Sequence, residues 1–162
     1  MFHKILVAID QSPLGEIIFG KALGIAKALE AELMILHVLS ADEAGSPQMP
    51  VSATGLRSSL TMEAAVFDVY QKQWQEYEEQ GLGFLRSHVQ IATDAGVKTE
   101  FTQTPGYPGR VICELAQNWQ ADLIVVGRRG TSSLNELFLG SVSNYVLHHA
   151  PCEILTVHAP KA

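Results

Sequence analysis

The sequence predicts an α/β fold, an open five-stranded, mostly parallel sheet with helices on both faces. Two observations predict it. Short apolar runs rich in Val, Ile and Leu recur along the chain without alternation, as in strands buried on both faces. The segments between them carry apolar residues at three-to-four spacing, as in helices that bury a single stripe. Parallel strands need crossover connections, so the alternation of the two patterns itself selects a parallel sheet.

The first strand is the run Lys4 to Ile9. Leu14, Ile18, Ala22, Ile25, Ala26 and Leu29 then share one helical face, with Ser12-Pro13 reading as its start and Ser12 as its cap. Leu33 to Leu39 is the second strand. Residues 40–61 break the rhythm with Gly45, Pro47, Pro50, Gly55 and several Ser, and read as a long mobile loop inside one domain, 1–162, because the elements on both sides serve one sheet. A long helix from about Val66 to Ala95 places Tyr70, Trp74, Tyr77, Leu85, Val89 and Ala92 along one face, and Gly96 supplies a left-handed stop. The more polar run Lys98 to Thr102 alternates and fits a sheet edge. A third helix starts near Pro108 and turns Val111, Ile112, Leu115, Ala116 and Trp119 inward. Leu123 to Val126 is a further buried strand, Ser141 to His149 a fourth helix closed by Pro151, and Ile154 to Val157 the last strand. An apolar last strand at an edge invites pairing with another chain.

The composition narrows the function. With 47% hydrophobic and 17% charged residues the chain has a globular balance. A net charge of −6 offers no electrostatic footprint for nucleic acid. The opening apolar run is too short for a signal peptide or a membrane span, and the two cysteines form no CxxC motif or disulfide framework. A cytoplasmic protein with no membrane partner is the expectation.

One stretch carries chemistry. The strand Leu123-Ile-Val-Val126 ends directly in Gly127-Arg-Arg-Gly130, and Gly140-Ser141-Val-Ser143 follows at the start of a helix. Gly127 and Gly130 can take backbone angles closed to other residues and let main-chain N–H groups approach an anion. At Gly140-Ser141, the unpaired N–H groups and positive dipole of the helix favour phosphate, and the Ser141 and Ser143 hydroxyls can add donors.

This G-x2-G-x9-G-S pattern resembles the nucleotide-binding signature of the universal stress protein family. The resemblance extends to Lys4-Ile-Leu-Val-Ala-Ile-Asp10-Gln-Ser12, to Leu36-His37-Val38, to the lead-in from Ala121 to Gly127, and to the end from Pro151 to Val157. It implies a Rossmann-like, adenine nucleotide alpha hydrolase-like fold with strand order 3-2-1-4-5. It also implies a homodimer through the last strand, 153–158. The intact signature resembles that of the family's ATP-binding members. It places Ala8, Ile9, Asp10 and Val38 around adenine and ribose, and Val126, Gly127, Gly130, Gly140, Ser141, Val142 and Ser143 around ribose and phosphates. Arg129, like Arg128, fills a variable position, so its contact with phosphate is expected from charge alone. The implied cofactor is ATP or another adenine nucleotide, with Mg²⁺ carried on its phosphates.

Other residues have plainer roles. Asp10 could cap the first helix as well as touch ligand. His37 on a buried strand suits internal hydrogen bonding, and Cys113 and Cys152 suit packing. Adjacent His148 and His149 point apart on a helix, so no metal or catalytic residue is assigned. Glu76, Glu78 and Glu79 read as a solvated face. The function expected is a nucleotide-responsive regulatory protein of the stress response. The alternatives are a slow ATP hydrolase or phosphotransferase, for which GxxxxGK[ST] is lacking, and an interaction scaffold with an empty pocket.

Overall fold

The computed structural model describes residues 1–49, 60–128 and 140–158. Strand and helix alternate as β1 (Lys4–Ala8), α1 (Pro13–Leu29), β2 (Glu32–Leu39), α2 (Leu60–Asp94), β3 (Thr99–Pro105), α3 (Pro108–Trp119), β4 (Leu123–Arg128), α4 (Ser141–His149) and β5 (Glu153–His158). The sheet order is β3-β2-β1-β4-β5 and every neighbouring pair is parallel. Both the order and the direction match the expectation.

The period of two along each strand divides the core between two faces. Ile5, Val7, Leu33, Ile35, Leu123 and Val125 pack against Ile18, Phe19 and Ala22 of α1 and Leu85 and Ala92 of α2. Leu6, Met34, Leu36, Ile124 and Val126 face the other way, against Ile112 and Ala116 of α3 and Val146 of α4. Helices cover both faces, so the central strands are apolar at nearly every position, and this produces the long apolar runs in the sequence. At the edge, β3 exposes Glu100 and Phe101. It runs past Thr102 to Pro105 because β2 continues to offer partners as far as Leu39, and a proline is tolerated at the end of an edge strand.

Helix α2 begins at Leu60 rather than near Val66. Its first residues, Leu-Thr-Met-Glu-Ala-Ala, are mostly good helix formers that mark no single stripe, so propensity extends the helix where periodicity is silent. The buried face runs through Tyr77, Gly81, Leu85, His88 and Ala92. The helix stops at Gly96, as expected, with φ of 83°. Gly96 N donates to Thr93 O at 2.9 Å and Val97 N to Ala92 O at 3.0 Å. Among the described residues a Cβ on Gly96 would meet nothing within 4 Å, so Gly96→Ala carries the left-handed backbone penalty. It should cost about 1–2 kcal/mol, read as a lower urea midpoint with an unchanged m-value.

The start of β1 is tied to the start of β4. The Asp122 carboxylate accepts from His3 N at 2.7 Å and Lys4 N at 2.8 Å, and Asp122 N donates to Lys4 O at 2.8 Å. The two main-chain donors hold the Asp122 carboxyl below its usual range. Lys4 Nζ donates to Trp119 O at 3.2 Å and lies 5.1 Å from the centre of the Trp119 ring.

Candidate nucleotide site

Strand order reverses between β1 and β4, and in open α/β sheets the crevice beyond the carboxyl ends at such a point is where ligands bind. A cavity of about 500 Å³ opens there, a volume suited to a small organic ligand. Its floor and walls come from the ends of β4, β1 and β2, the first turns of α1 and α4, and the start of α3.

At the end of β1, Ile9 N still donates to Leu36 O at 2.9 Å before the chain turns. Ser12 caps α1: its Oγ accepts from Gly15 N at 3.2 Å. Asp10 acts on the cap indirectly, its Oδ1 accepting from Ser12 N at 3.2 Å and from the Ser12 hydroxyl. The first turn of α1 lies directly over the Asp10 peptide, so a Cβ on Gly15 would run into the Asp10 carbonyl oxygen.

At the end of β2 the chain folds back on itself. Glu43 N donates to Ser40 O at 3.2 Å and Ser46 N to Glu43 O at 3.1 Å, while Ser46 Oγ donates to Ala41 O at 2.8 Å. The Glu43 side chain turns inward and is only 7% exposed. It accepts from Gln11 N at 3.3 Å, from His37 Nε2 at 2.9 Å and from the Tyr77 hydroxyl. Burial, then the hydrogen bond to Glu43, raises the Tyr77 phenol far above its ordinary range, so it remains a donor. Residues 40–48 of the expected loop are thus held by their own backbone and by Glu43; residues 50–59 lie outside the described residues.

At the end of β4, Gly127 continues the strand and pairs with Val157. This corrects the reading that Gly127 supplies an unusual backbone angle, for its φ is not positive. Its packing is close instead: a Cβ would meet Ile18 Cδ1 at 2.5 Å and Leu14 Cδ2 at 3.2 Å, the ends of two α1 side chains that would have to shift. Gly140 is the N-cap of α4 with no side-chain capping bond, and the first helical amides have no partner within the helix. Among the described residues, a Cβ at Gly140 would meet only Ser143 Oγ, at 3.7 Å. Ser143 is buried, and its hydroxyl donates to Gly140 O at 3.1 Å.

Of the expected residues, Ala8, Ile9, Asp10, Val38, Val126, Gly127, Gly140, Ser141, Val142 and Ser143 all line this cavity. Arg129 and Gly130 lie outside the described residues. Arg128 ends β4 opposite His158 and is not part of the lining. Leu14, Ile18, Leu36, Ser40, Asp42, Glu43, Pro108 and Ile112 also line it and escaped the sequence reading. Leu14, Leu36 and Ile112 read there simply as core, and Glu43 sits in a loop without periodicity.

The cavity is electrically polar. Asp10, Asp42 and Glu43 stand toward the β1 and β2 side, and the positive end of α4 stands toward the β4 side. A ligand that is anionic at one end and rich in hydrogen-bond donors at the other matches both. The apolar surfaces of Val38, Pro108, Ile112 and Val126 suit a flat ring between them. Elsewhere, burial raises both thiols, Cys152 to about 11, in keeping with packing roles. Among the described residues no group of three or more His, Cys, Asp or Glu could hold a metal ion, and no helix is long and apolar enough to cross a membrane.

Comparison with known proteins gives the same picture at the scale of the whole chain. The sequence model of the universal stress protein family matches residues 1–158. Universal stress protein Sll1388 of Synechocystis sp. is 35% identical over 158 residues, covering 96% of this chain and 97% of the relative. Universal stress protein YxiE of Bacillus subtilis is 34% identical over 157 residues, covering 97% and 99%. Among solved structures, a universal stress protein in complex with cAMP aligns with a TM-score of 0.62 at 24% identity, over 97% of each chain. A universal stress protein family protein from Arabidopsis thaliana with AMP bound aligns at 0.60 and 20% identity, over 98% of this chain and 92% of the other. At these identities the structural likeness is one of fold.

Proposed function

Since the chain belongs to the universal stress protein family, we propose that it binds an adenine nucleotide, ATP or a related one, and acts in the stress response as a nucleotide-responsive cytoplasmic homodimer. The observation that carries this reading is the polarity of the cavity at the strand-order reversal. Phosphates belong at the N-terminus of α4, where Ser141, Val142 and Ser143 present main-chain N–H groups and Mg²⁺ would ride on the phosphates. Ribose hydroxyls belong near Asp10, and the base between Val38, Pro108 and Ile112. Two relatives of the same fold were solved with AMP and with cAMP, which supports the adenine assignment. For the dimer, β5 (153–158) is an edge of the sheet, with no further strand beside it among the described residues.

Gly140 gives a clean test. Neither its φ of −55° nor its packing among the described residues calls for glycine, so Gly140→Ala should fold with unchanged stability. A methyl group facing the phosphates should nevertheless weaken ATP by roughly tenfold, 1.4 kcal/mol being a factor of ten. Calorimetric titration of both proteins with ATP and AMP, beside their melting curves, reads this directly. Equal affinity in the two would move the phosphates away from α4, and no heat of binding in the wild type would favour the scaffold alternative. Sedimentation velocity with and without ATP tests the dimer.

A further inference from the structure

Behind the cavity wall lies a polar cluster centred on His37, and one of its members, Glu43, lines the cavity. The His37 side chain is wholly buried, yet both ring nitrogens face acceptors: Nδ1 is 2.9 Å from Gln103 Oε1, and Nε2 is 2.9 Å from Glu43 Oε2. Gln103 is turned this way because its Nε2 donates to Glu78 O at 3.0 Å. A neutral imidazole has one N–H and would leave one nitrogen lone pair against an acceptor; beside an ionised Glu43, only the imidazolium satisfies both. Glycine at 81 brings α2 so close that a Cβ would strike Gln103 Oε1 and His37 Nδ1, which leaves little space beside the ring. From β2, then, His37 faces Gln103 of β3, Tyr77 and Phe84 of α2, Glu43 after β2 and, at longer range, Asp10 after β1.

We infer that Glu43 is a positioning residue of the nucleotide site, held in the cavity wall by a buried His37 imidazolium, so that affinity depends on the protonation of a side chain the ligand does not touch. The inference rests on the nucleotide reading above. Glu43 binds Gln11 N and so joins the turn after β1 to the segment after β2, the two polypeptide edges that frame the ribose and base. When His37 loses its proton, one ring nitrogen is left with a lone pair against an acceptor and the buried Glu43 carboxylate loses its counter-charge, so the wall must move to admit water. Burial opposes the charge on His37. The hydrogen bonds to Glu43 and Gln103 and the charges of Glu43 and Asp10 outweigh it, so the imidazolium persists above its ordinary range.

ATP affinity measured by calorimetry between about pH 6 and about pH 9 should be flat on the acid side. It should then weaken by up to about tenfold per pH unit once His37 titrates, the slope of one linked proton. In His37→Gln the weakening should be gone, with ATP bound less tightly than by wild type at the acid end. ATP bound with a pH dependence unaltered in His37→Gln would overturn the inference and leave the nucleotide reading standing. Absence of ATP binding by wild type at every pH would overturn that reading, and with it the inferred role of Glu43. The nitrogen-15 spectrum of the wild-type imidazole needs neither ligand nor variant: two protonated ring nitrogens at neutral pH support the buried cation, and a single neutral tautomer overturns it.

Discussion

Gly15→Ala should lose about 3 kcal/mol of stability, and with it most of the nucleotide affinity. The cost is out of proportion to one methyl group because the atom it meets is the backbone carbonyl oxygen of Asp10, with the Asp10 Oδ1 carboxylate oxygen 3.1 Å away. A flexible side chain could swing aside; a peptide at the end of a central strand cannot, since Ile9 N is already bonded to Leu36 O. Either α1 lifts, opening its packing of Ile18 and Phe19 on the sheet, or the Asp10 turn shifts and carries a lining carboxylate out of place. Urea unfolding reads the first loss and ATP titration the second. A variant as stable as wild type would show that the turn is more pliant than its hydrogen bonds imply.

Glu43→Ala should cost about 3–5 kcal/mol near neutral pH, because His37 must then either carry a buried charge without its counter-ion or give up its proton and the hydrogen bond that goes with it. The sign of the pH dependence should also reverse. In the wild type the folded His37 pKa lies above the ordinary 6.5, so its stabilisation is full below about pH 6.5 and fades as pH rises through the folded value. Without Glu43 the largest remaining influence is burial, which disfavours the charge and pulls the pKa below the unfolded value. The variant should therefore lose stability as pH falls through 6.5, where the wild type does not. Melting curves across that window compare the two slopes; parallel slopes would mean that Glu43 is not the partner that sets the charge of His37.

Much of this architecture was legible because buried parallel strands write an unmistakable pattern. Leu33 to Leu39 is apolar at nearly every position since helices cover both of its faces. The glycine spacing and Asp10 marked the cavity for a similar reason, being local in sequence. What escaped was set by distant contacts. Gly127 was read as a source of backbone freedom, whereas its neighbour is Ile18, a partner that only the packing of α1 on β4 reveals. Glu43 carried no sign of importance, as its role depends on Tyr77 and His37 arriving from two other elements. His37 was expected to be hydrogen-bonded internally, and it is, but its second acceptor lies in a loop where no periodicity points inward.

The place of β1 in the middle of the sheet shapes how the chain can reach this state. Its one flank is filled early by β2, but Ile5, Leu6 and Val7 find their other neighbours only in Leu123, Ile124 and Val125. During synthesis, an apolar strand edge therefore stands open until about three-quarters of the chain has been made, a setting in which premature association competes with folding. In the folded chain the clamp of Asp122 on the His3 and Lys4 amides closes this long circuit. Refolding should accordingly be slow for a chain of this size, and its rate should respond to Asp122→Ala more than to changes in α1.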